Sequence, residues 1–253
     1  MDQIGERLII HYLPFTDIPI PMGGLNVLTV FNTAVVMLLL WVLMWLGVRK
    51  AAMIPGRGQV LMELFVGSFD DLVESSLELD TREANRRFLP LIACLFVFLL
   101  LCNFMGFLPT QYFEEPTGDI NCTLALGTMG MVIATACGIR AKGALGFFEE
   151  LLGPMWSQPD APPMARFMGK ASALFFFPLN VIGELSKIVS ISFRLFGNII
   201  GGGIIIVVVS HLVWHCAAGL PIFLDMFFIF FVGTIQAFVF TMLTLTYIAV
   251  AIK

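Results

Sequence analysis

The chain has 253 residues, of which 58% are hydrophobic and 13% are charged, and its mean hydropathy is +0.93. A single soluble core does not bury this much apolar surface, so the composition excludes an ordinary soluble domain and makes the bilayer the solvent for most of the chain. The net charge of −4 excludes little, because the placement of the charges matters more than their sum.

Five apolar segments are long enough to cross a bilayer, which takes about 20 helical residues. They cover residues 25–48, 88–108, 122–139, 171–216 and 220–252. The last two are too long for a perpendicular crossing, and Gly219 and Pro221 between them predict a tight turn. We therefore expect an all-α polytopic membrane protein, a single membrane domain over residues 1–253, whose last two helices form a long, steeply tilted antiparallel hairpin.

Two connections separate these segments on the side that carries most of the Lys and Arg residues. The first, over residues 58–79, has apolar residues at helical spacing and predicts an amphipathic helix on the membrane surface, with a short soluble helical hairpin as the alternative. Asp70 is one of the polar residues of this predicted helix. The second, over residues 140–170, contains four prolines and predicts a loop with a short helical piece. The positive-inside rule places both connections and the C-terminus in the cytoplasm, and the N-terminus outside.

A polar stripe runs along the fourth apolar segment. Its members follow steps of three and four residues and share one helix face: Glu184, Lys187, Ile191, Arg194, Asn198 and Gly201. An arginine at bilayer depth costs at least about 2.5 to 3.5 kcal/mol, and it cannot escape by losing its proton. Glu184 is the simplest partner for Lys187, so Arg194 is left without a permanent anion, and we expect that anion in another subunit or a substrate. A purely structural ion pair is the alternative.

The fifth segment offers a matching face. Its members recur at near-helical spacing: Asp225, Ile229, Gly233, Gln236, Phe240, Thr244 and Tyr247. The Gln236 amide is suited to hydrogen-bond the Arg194 guanidinium while leaving it charged. The alternative is an ordinary interhelical hydrogen bond, worth about 0.6 to 2 kcal/mol.

Several motifs together resemble subunit a of the F-type rotary ATP synthases. They are SFRLFGNIIGG around Arg194, IQAFVFTMLTLTYIAVA around Gln236, NFMGFLPT and TGDINCTLALG. The resemblance covers nearly the whole chain from Leu25 onward. It implies a non-catalytic, ion-conducting stator in a bacterial plasma membrane, beside a ring of c subunits, peripheral-stalk b subunits and the rest of the complex.

The same resemblance implies roles for individual residues. Arg194 matches the family's essential arginine, which discharges a ring carboxylate and keeps two aqueous half-channels apart; Asn198 and Gln236 match the family's asparagine and glutamine. Five further polar positions are assigned only by their place along the predicted helices. Glu184 and Lys187 are expected near the inner half-channel, and His211, His215 and Asp225 near the outer one, where the histidines are either proton carriers or plain interfacial residues. The carried ion, proton or sodium, stays open.

Two positions depart from the family pattern. Members often carry Glu or His where this chain has Gly203, and a second polar residue where it has Ile229. We expect the outer relay to be displaced. His211 and His215 are spaced as a metal pair, but no third ligand is near, so we expect no metal. We also expect no cofactor, no nucleic acid and no ATP site, since no phosphate-binding glycine loop is present. The alternative function is a secondary transporter that binds a small anion at Arg194.

Overall fold

In the computed structural model the chain is almost entirely helical, and the structure describes residues 9–10, 25–49, 56–78, 85–107, 114–152, 163–213 and 219–252. The helices are α1 (Val27–Arg49), α2 (Arg57–Leu77), α3 (Leu89–Phe104), α4 (Ile120–Leu152), α5 (Pro163–Val213), α6 (Gly219–Met226) and α7 (Gly233–Ile252). A π-helical turn (Phe227–Val232) joins α6 to α7, and 3-10 turns cover Met105–Phe107 and Pro116–Gly118. Strands β1 (Ile9–Ile10) and β2 (Leu25–Asn26) form one short antiparallel pair.

Five helical stretches are long and apolar enough to cross a membrane. They are Val27–Gly47, Leu89–Phe107, Ile120–Phe147, Phe176–Leu212 and Gly219–Ile252. Lipid offers no hydrogen bonds to the backbone, so a helix, which pairs its own amides and carbonyls, is the form such apolar segments take. The predicted all-α polytopic class with five spanning helices is confirmed.

The connection predicted as a loop with a short helical piece over residues 140–170 is helical at both ends. Helix α4 continues to Leu152, and α5 begins at Pro163. Gly143 interrupts α4 with φ 79° and ψ 161°, a backbone conformation that glycine adopts without steric cost. The prolines do not prevent the helices, because three of them fall between α4 and α5 in the chain and Pro163 occupies the first position of α5, where a missing amide hydrogen costs nothing.

The turn predicted at Gly219 and Pro221 also lies elsewhere. Both residues belong to the first turn of α6, and residues 214–218, which connect it to α5, lie outside the described residues. A proline is tolerated at a helix start because the first amides have no intrahelical acceptor in any case. The Gly219 and Pro221 pattern therefore marked the start of a helix, and the predicted turn does not lie at these two residues.

Helix α5 and the α6–α7 segment are antiparallel neighbours. The Lys187 ammonium lies 5.6 Å from the centre of the Tyr247 ring, and the Asn198 amide donates to Gln236 at 3.0 Å. Farther along α5, Gly202 faces the Phe228 ring. Residue numbers rise on one helix as they fall on the other, which is the hairpin register that the sequence predicts.

Helix α4 packs closely against both arms of this hairpin, and glycines make the approach possible. A side chain at Gly127 would overlap the Ser192 hydroxyl of α5, and one at Gly130 would lie 3.4 Å from the Thr244 hydroxyl of α7. Small residues let membrane helices gain van der Waals contact by bringing their backbones together.

Helix α2 is docked onto the helix ends by one apolar face. Phe69, Val73 and Leu77 are buried in one cluster with residues of α3, α4 and α7. Asp70, predicted on the polar face, is buried as well. Its charge is met by Arg86, whose Nη2 lies 3.0 Å from Asp70 Oδ2 and whose pKa this hydrogen bond raises.

Candidate functional site

Arg194 lies near the middle of α5 with its side chain exposed. The flanking residues Ile191 and Leu195 are buried in a cluster with α3, α4 and α7, so the helix is anchored on one side while the arginine lies on its uncovered side. Within the described part of the chain, the guanidinium has no hydrogen bond and no ion pair. This arrangement suits a cation whose partner comes from another molecule.

The predicted Glu184–Lys187 pair is present. Lys187 Nζ lies 2.5 Å from Glu184 Oε1, and both side chains are about one-third exposed. The ammonium also lies over the Tyr247 ring, which draws the pair toward α7. Lys187 therefore has an anion within its own chain, in contrast to Arg194.

Gln236 is buried at the contact between α5 and α7. Its Oε1 accepts a hydrogen bond from Asn198 Nδ2 at 3.0 Å, whereas its Nε2 has no partner among the described residues. The expected hydrogen bond from Gln236 to Arg194 is absent from this part of the structure, because the hairpin register places Asn198 opposite the amide. A buried, unpaired donor costs about 1–3 kcal/mol, so the Gln236 amide nitrogen is available to an incoming acceptor.

The last helix is irregular next to this site. The π-helical turn Phe227–Val232 widens the helix just before Gly233, and the Asn103 amide of α3 donates to the Gly233 carbonyl at 2.8 Å. Single π turns inside α-helices occur frequently at functional sites. Ile229 of this turn and Asp225 of α6 line the same cavity as Gln236.

This cavity of about 800 Å³ lies at the predicted outer end of the hairpin. Asn198 and Gln236 lie on its wall, and so do Gly203 and Ile229, the two positions that depart from the family pattern. Its titratable side chains are four carboxylates: Glu114, Glu115, Asp119 and Asp225. Among the described residues no basic side chain lines it. The cavity is therefore acidic and connects the outer loops to the Asn198–Gln236 pair.

The residues predicted to line the outer half-channel do not all lie at the outer cavity. Asp225 lines the cavity, whereas His211 is exposed outside its lining, with Nδ1 3.0 Å from the Val207 carbonyl oxygen. His215 lies outside the described residues. This position of His211 favours the plain interfacial alternative. Within the described ranges no group of three or more His, Cys, Asp or Glu side chains is arranged to hold a metal ion.

The model of the ATP synthase A chain family matches residues 29–249. The chain belongs to the ATP synthase subunit a family. It is 36% identical over 231 residues to the ATP synthase subunit a of Moorella thermoacetica, with 91% of each chain covered. It is 35% identical to that of Aliarcobacter butzleri, with 79% of this chain and 78% of the relative covered. For Syntrophobacter fumaroxidans the identity is 32%, with 87% and 82% covered.

The family match extends over Arg194, the Asn198–Gln236 pair and every lining residue of the outer cavity except Asn26. Together with the five apolar helices, it makes the chain an integral, multi-pass membrane protein of the subunit a family.

Sequence reasoning missed three of the four cavity carboxylates, Glu114, Glu115 and Asp119, of which Glu115 is the unusual one. Glu115 lies in the loop before α4, partly buried in the cavity wall. Burial, with a smaller contribution from the charge of Asp225, raises the pKa of Glu115 to about 7. The sequence signal was weak, because an acidic pair in a polar outer loop resembles an ordinary solvated turn. Only the neighbouring helices make it unusual.

Proposed function

We propose that this chain is the ion-translocating stator subunit of an F-type ATP synthase, without catalytic activity of its own. The single observation that carries the proposal is Arg194, an exposed cation midway along an apolar helix, with no ion-pair partner among the residues that the structure describes. Its partners in this proposal are a ring of c subunits, the peripheral-stalk b subunits and the surrounding bilayer. The ATP chemistry belongs to other subunits.

The mechanism rests on how a carboxylate behaves in two environments. A ring carboxylate that faces lipid is neutral, because burying its charge there is too costly. When it faces Arg194, the fixed positive charge stabilises the carboxylate anion and lowers its proton affinity, so the ion is released. The permanent charge of arginine also repels mobile cations and keeps the two half-channels from joining.

The polar groups on either side of Arg194 support two offset half-channels. The outer cavity extends to the Asn198–Gln236 pair, and the Gln236 amide nitrogen is free to donate to a ring carboxylate. The Glu184–Lys187 pair, toward the cytoplasmic end in the predicted topology, is the corresponding polar feature of the inner half-channel. This topology has the N-terminus outside and the C-terminus in the cytoplasm, in a bacterial plasma membrane.

The length of α5 supports contact with a partner ring. Its 51 residues would extend about 75 Å as a straight helix, whereas the hydrocarbon core is about 30 Å thick. A steep tilt along the side of a ring lets much of that length lie within the bilayer. A secondary anion transporter would instead need a pocket around Arg194, and the described outer cavity does not include Arg194 in its wall.

The test is ATP-driven ion uptake in inverted vesicles that contain the whole complex. Arg194→Ala is expected to assemble and to abolish uptake, and Arg194→Lys is expected to retain little, since lysine can lose its proton. Arg140→Ala is the matched control, because Arg140 is also an exposed arginine on a spanning helix. Acidification abolished by a protonophore indicates proton coupling, and sodium uptake that survives the protonophore indicates sodium coupling. Normal uptake by Arg194→Ala would refute the proposal.

A further inference from the structure

The outer cavity lacks titratable groups on its two long helices at the positions where the family often has them. Gly203 of α5 and Ile229 of the π-helical turn both line the cavity and neither carries a proton-exchanging side chain. An outer half-channel that conducts protons toward the Asn198–Gln236 pair must therefore draw its exchanging group from another element. The carboxylates of the outer loop and of α6 are the available set.

Asp119 has a structural task. Its Oδ1 accepts from the backbone N–H of Asn121 at 2.9 Å, which caps the start of α4, and its Oδ2 accepts from the Thr29 hydroxyl of α1 at 3.2 Å. Both oxygens are thus engaged in holding two helices together. Glu114 is different again, because its side chain is exposed to solvent and only its backbone carbonyl is held, by the Asn32 amide at 3.0 Å.

Glu115 is the carboxylate that is both partly buried and unengaged. Its side chain rests against Gly106 so closely that a Cβ on Gly106 would overlap the carboxylate oxygen. No described residue donates a hydrogen bond to it. Because Gly106 has no side chain, it leaves the space that the Glu115 carboxylate occupies in the cavity wall.

The backbone that carries Glu115 is tied to the last helix. The next 3-10 turn places Thr117 where its hydroxyl donates to Asn103 Oδ1 at 3.2 Å, and Asn103 Nδ2 donates to the Gly233 carbonyl at 2.8 Å. Gly233 precedes Gln236 by less than one helical turn. These two hydrogen bonds fix the backbone next to Glu115 relative to the part of α7 that carries Gln236.

We propose that Glu115 is the proton-exchanging side chain of the outer half-channel, supplied by the loop before α4 instead of by the helix positions of Gly203 and Ile229. Asp225 is its titratable neighbour across the cavity. This inference rests on the proposed stator function and on protons as the carried ion.

The proposed step is a balanced proton relay. A hydronium ion from the outer water gives its proton to the Glu115 carboxylate, so that one O–H bond forms on the carboxyl group, one breaks in hydronium, and a water molecule remains. The acid then gives this proton through cavity water to the ring carboxylate, and the Glu115 anion is restored.

The electrostatic surroundings fit this exchange. Asp225 of α6 and the Cys102 thiol of α3 interact electrostatically with Glu115. Glu114 and Asp119 of its own loop line the same cavity, and no basic side chain is among the described lining residues. The pKa of Glu115, about 7, places its gain and loss of a proton near working pH, where a relay is most effective.

The experiment measures ATP synthesis by the whole complex in inverted vesicles, whose lumen faces the outer cavity. Luminal pH is varied from about 5.5 to 8.5, and a potassium gradient with valinomycin holds the total driving force constant. A carboxyl group holds its proton below its pKa, so the wild-type rate is expected to fall as luminal pH rises through about 7.

Glu115→Gln is expected to lower the rate at least five-fold at luminal pH 7.5 and to abolish the fall centred near pH 7. Glu114→Gln, which removes the same charge from an exposed side chain of the same loop, is expected to stay within two-fold and to keep that fall. Gly106→Ala displaces the Glu115 side chain and is expected to reproduce the Glu115→Gln profile. Asp225→Asn removes a like charge that raises the pKa of Glu115, so its fall in rate should shift to lower pH.

An unchanged rate and pH profile in Glu115→Gln would overturn the inference, as would a rate that follows luminal sodium instead of pH. Should Glu115→Gln fail to assemble, the Asp225→Asn profile decides: a shift to lower pH supports the relay and an unshifted fall overturns it. Arg194→Ala in the same assay separates the two proposals. An inactive Arg194→Ala beside a normal Glu115→Gln would refute the relay alone, whereas an active Arg194→Ala would refute the stator function as well.

Discussion

Replacing Gly127 with alanine puts a methyl group into the contact between α4 and α5, close to the segment that leads to Arg194. The new Cβ would overlap the Ser192 hydroxyl and would lie 3.0 Å from Ile191 Cγ2 and 3.3 Å from the Ile188 carbonyl oxygen. The serine can rotate, but the carbonyl belongs to the α5 backbone and moves only with the helix. We therefore expect α5 to be pushed away from α4.

The magnitude follows from a matched pair of substitutions. Overpacking a close contact typically costs about 1–3 kcal/mol. Alanine is also a better helix former than glycine by roughly 0.5–1 kcal/mol, which offsets part of that cost. Gly67→Ala in α2 provides the control, because no atom lies within 4 Å of a Cβ there. Since the propensity gain is common to both variants, their difference reports the clash, about 1–3 kcal/mol.

The measurement is the thermal unfolding midpoint of the purified chain, followed by ATP-driven ion uptake at equal levels of assembled complex. One kcal/mol shifts the midpoint of a chain of this size by about 2–4 °C. Gly127→Ala is expected to unfold below Gly67→Ala and to pump more slowly, since the position of Arg194 depends on α5. Adding Ser192→Ala should recover part of the loss, because it removes the overlap with the hydroxyl and leaves the Ile188 contact. Equal midpoints and equal uptake for the two glycine variants would refute the reasoning.

Two further predictions concern other contacts. Asn198→Ala leaves the Gln236 oxygen buried without its donor, at a cost of about 1–3 kcal/mol, and is expected to slow ATP-driven uptake in complexes that still assemble; wild-type uptake would show that the Asn198–Gln236 bond is dispensable. Phe69→Ala removes a buried ring that lies 5.1 Å from the Phe96 ring, and is expected to cost about 3–5 kcal/mol and to speed amide hydrogen exchange in α2. Leu61→Ala on the exposed part of α2 is its control, and equal exchange in both variants would contradict the docking of α2.

Much of the architecture could be predicted from the sequence, because apolar length and charge spacing act locally. A run of about 20 apolar residues satisfies its backbone in lipid only as a helix, so the five spans followed without any knowledge of packing. The isolation of Arg194 also followed, since arginine keeps its charge and the only nearby carboxylate, Glu184, already had Lys187 as its partner. The helical ends of the 140–170 connection were missed, because proline counts say little about which side of a helix boundary each proline occupies.

The composition of the cavity was decided by the tertiary structure. The burial of Glu115, the engagement of Asp119 and the separation of His211 from the cavity depend on which side chains of α1, α3 and α5 meet at one point. These contacts join residues far apart in the chain, and no periodicity records them. The sequence by itself determined the spans and the permanent charge of Arg194, because hydrophobic length and permanent charge are properties of single segments. Only the tertiary structure decided where a carboxylate is partly buried, because burial is a property of the packed assembly of segments.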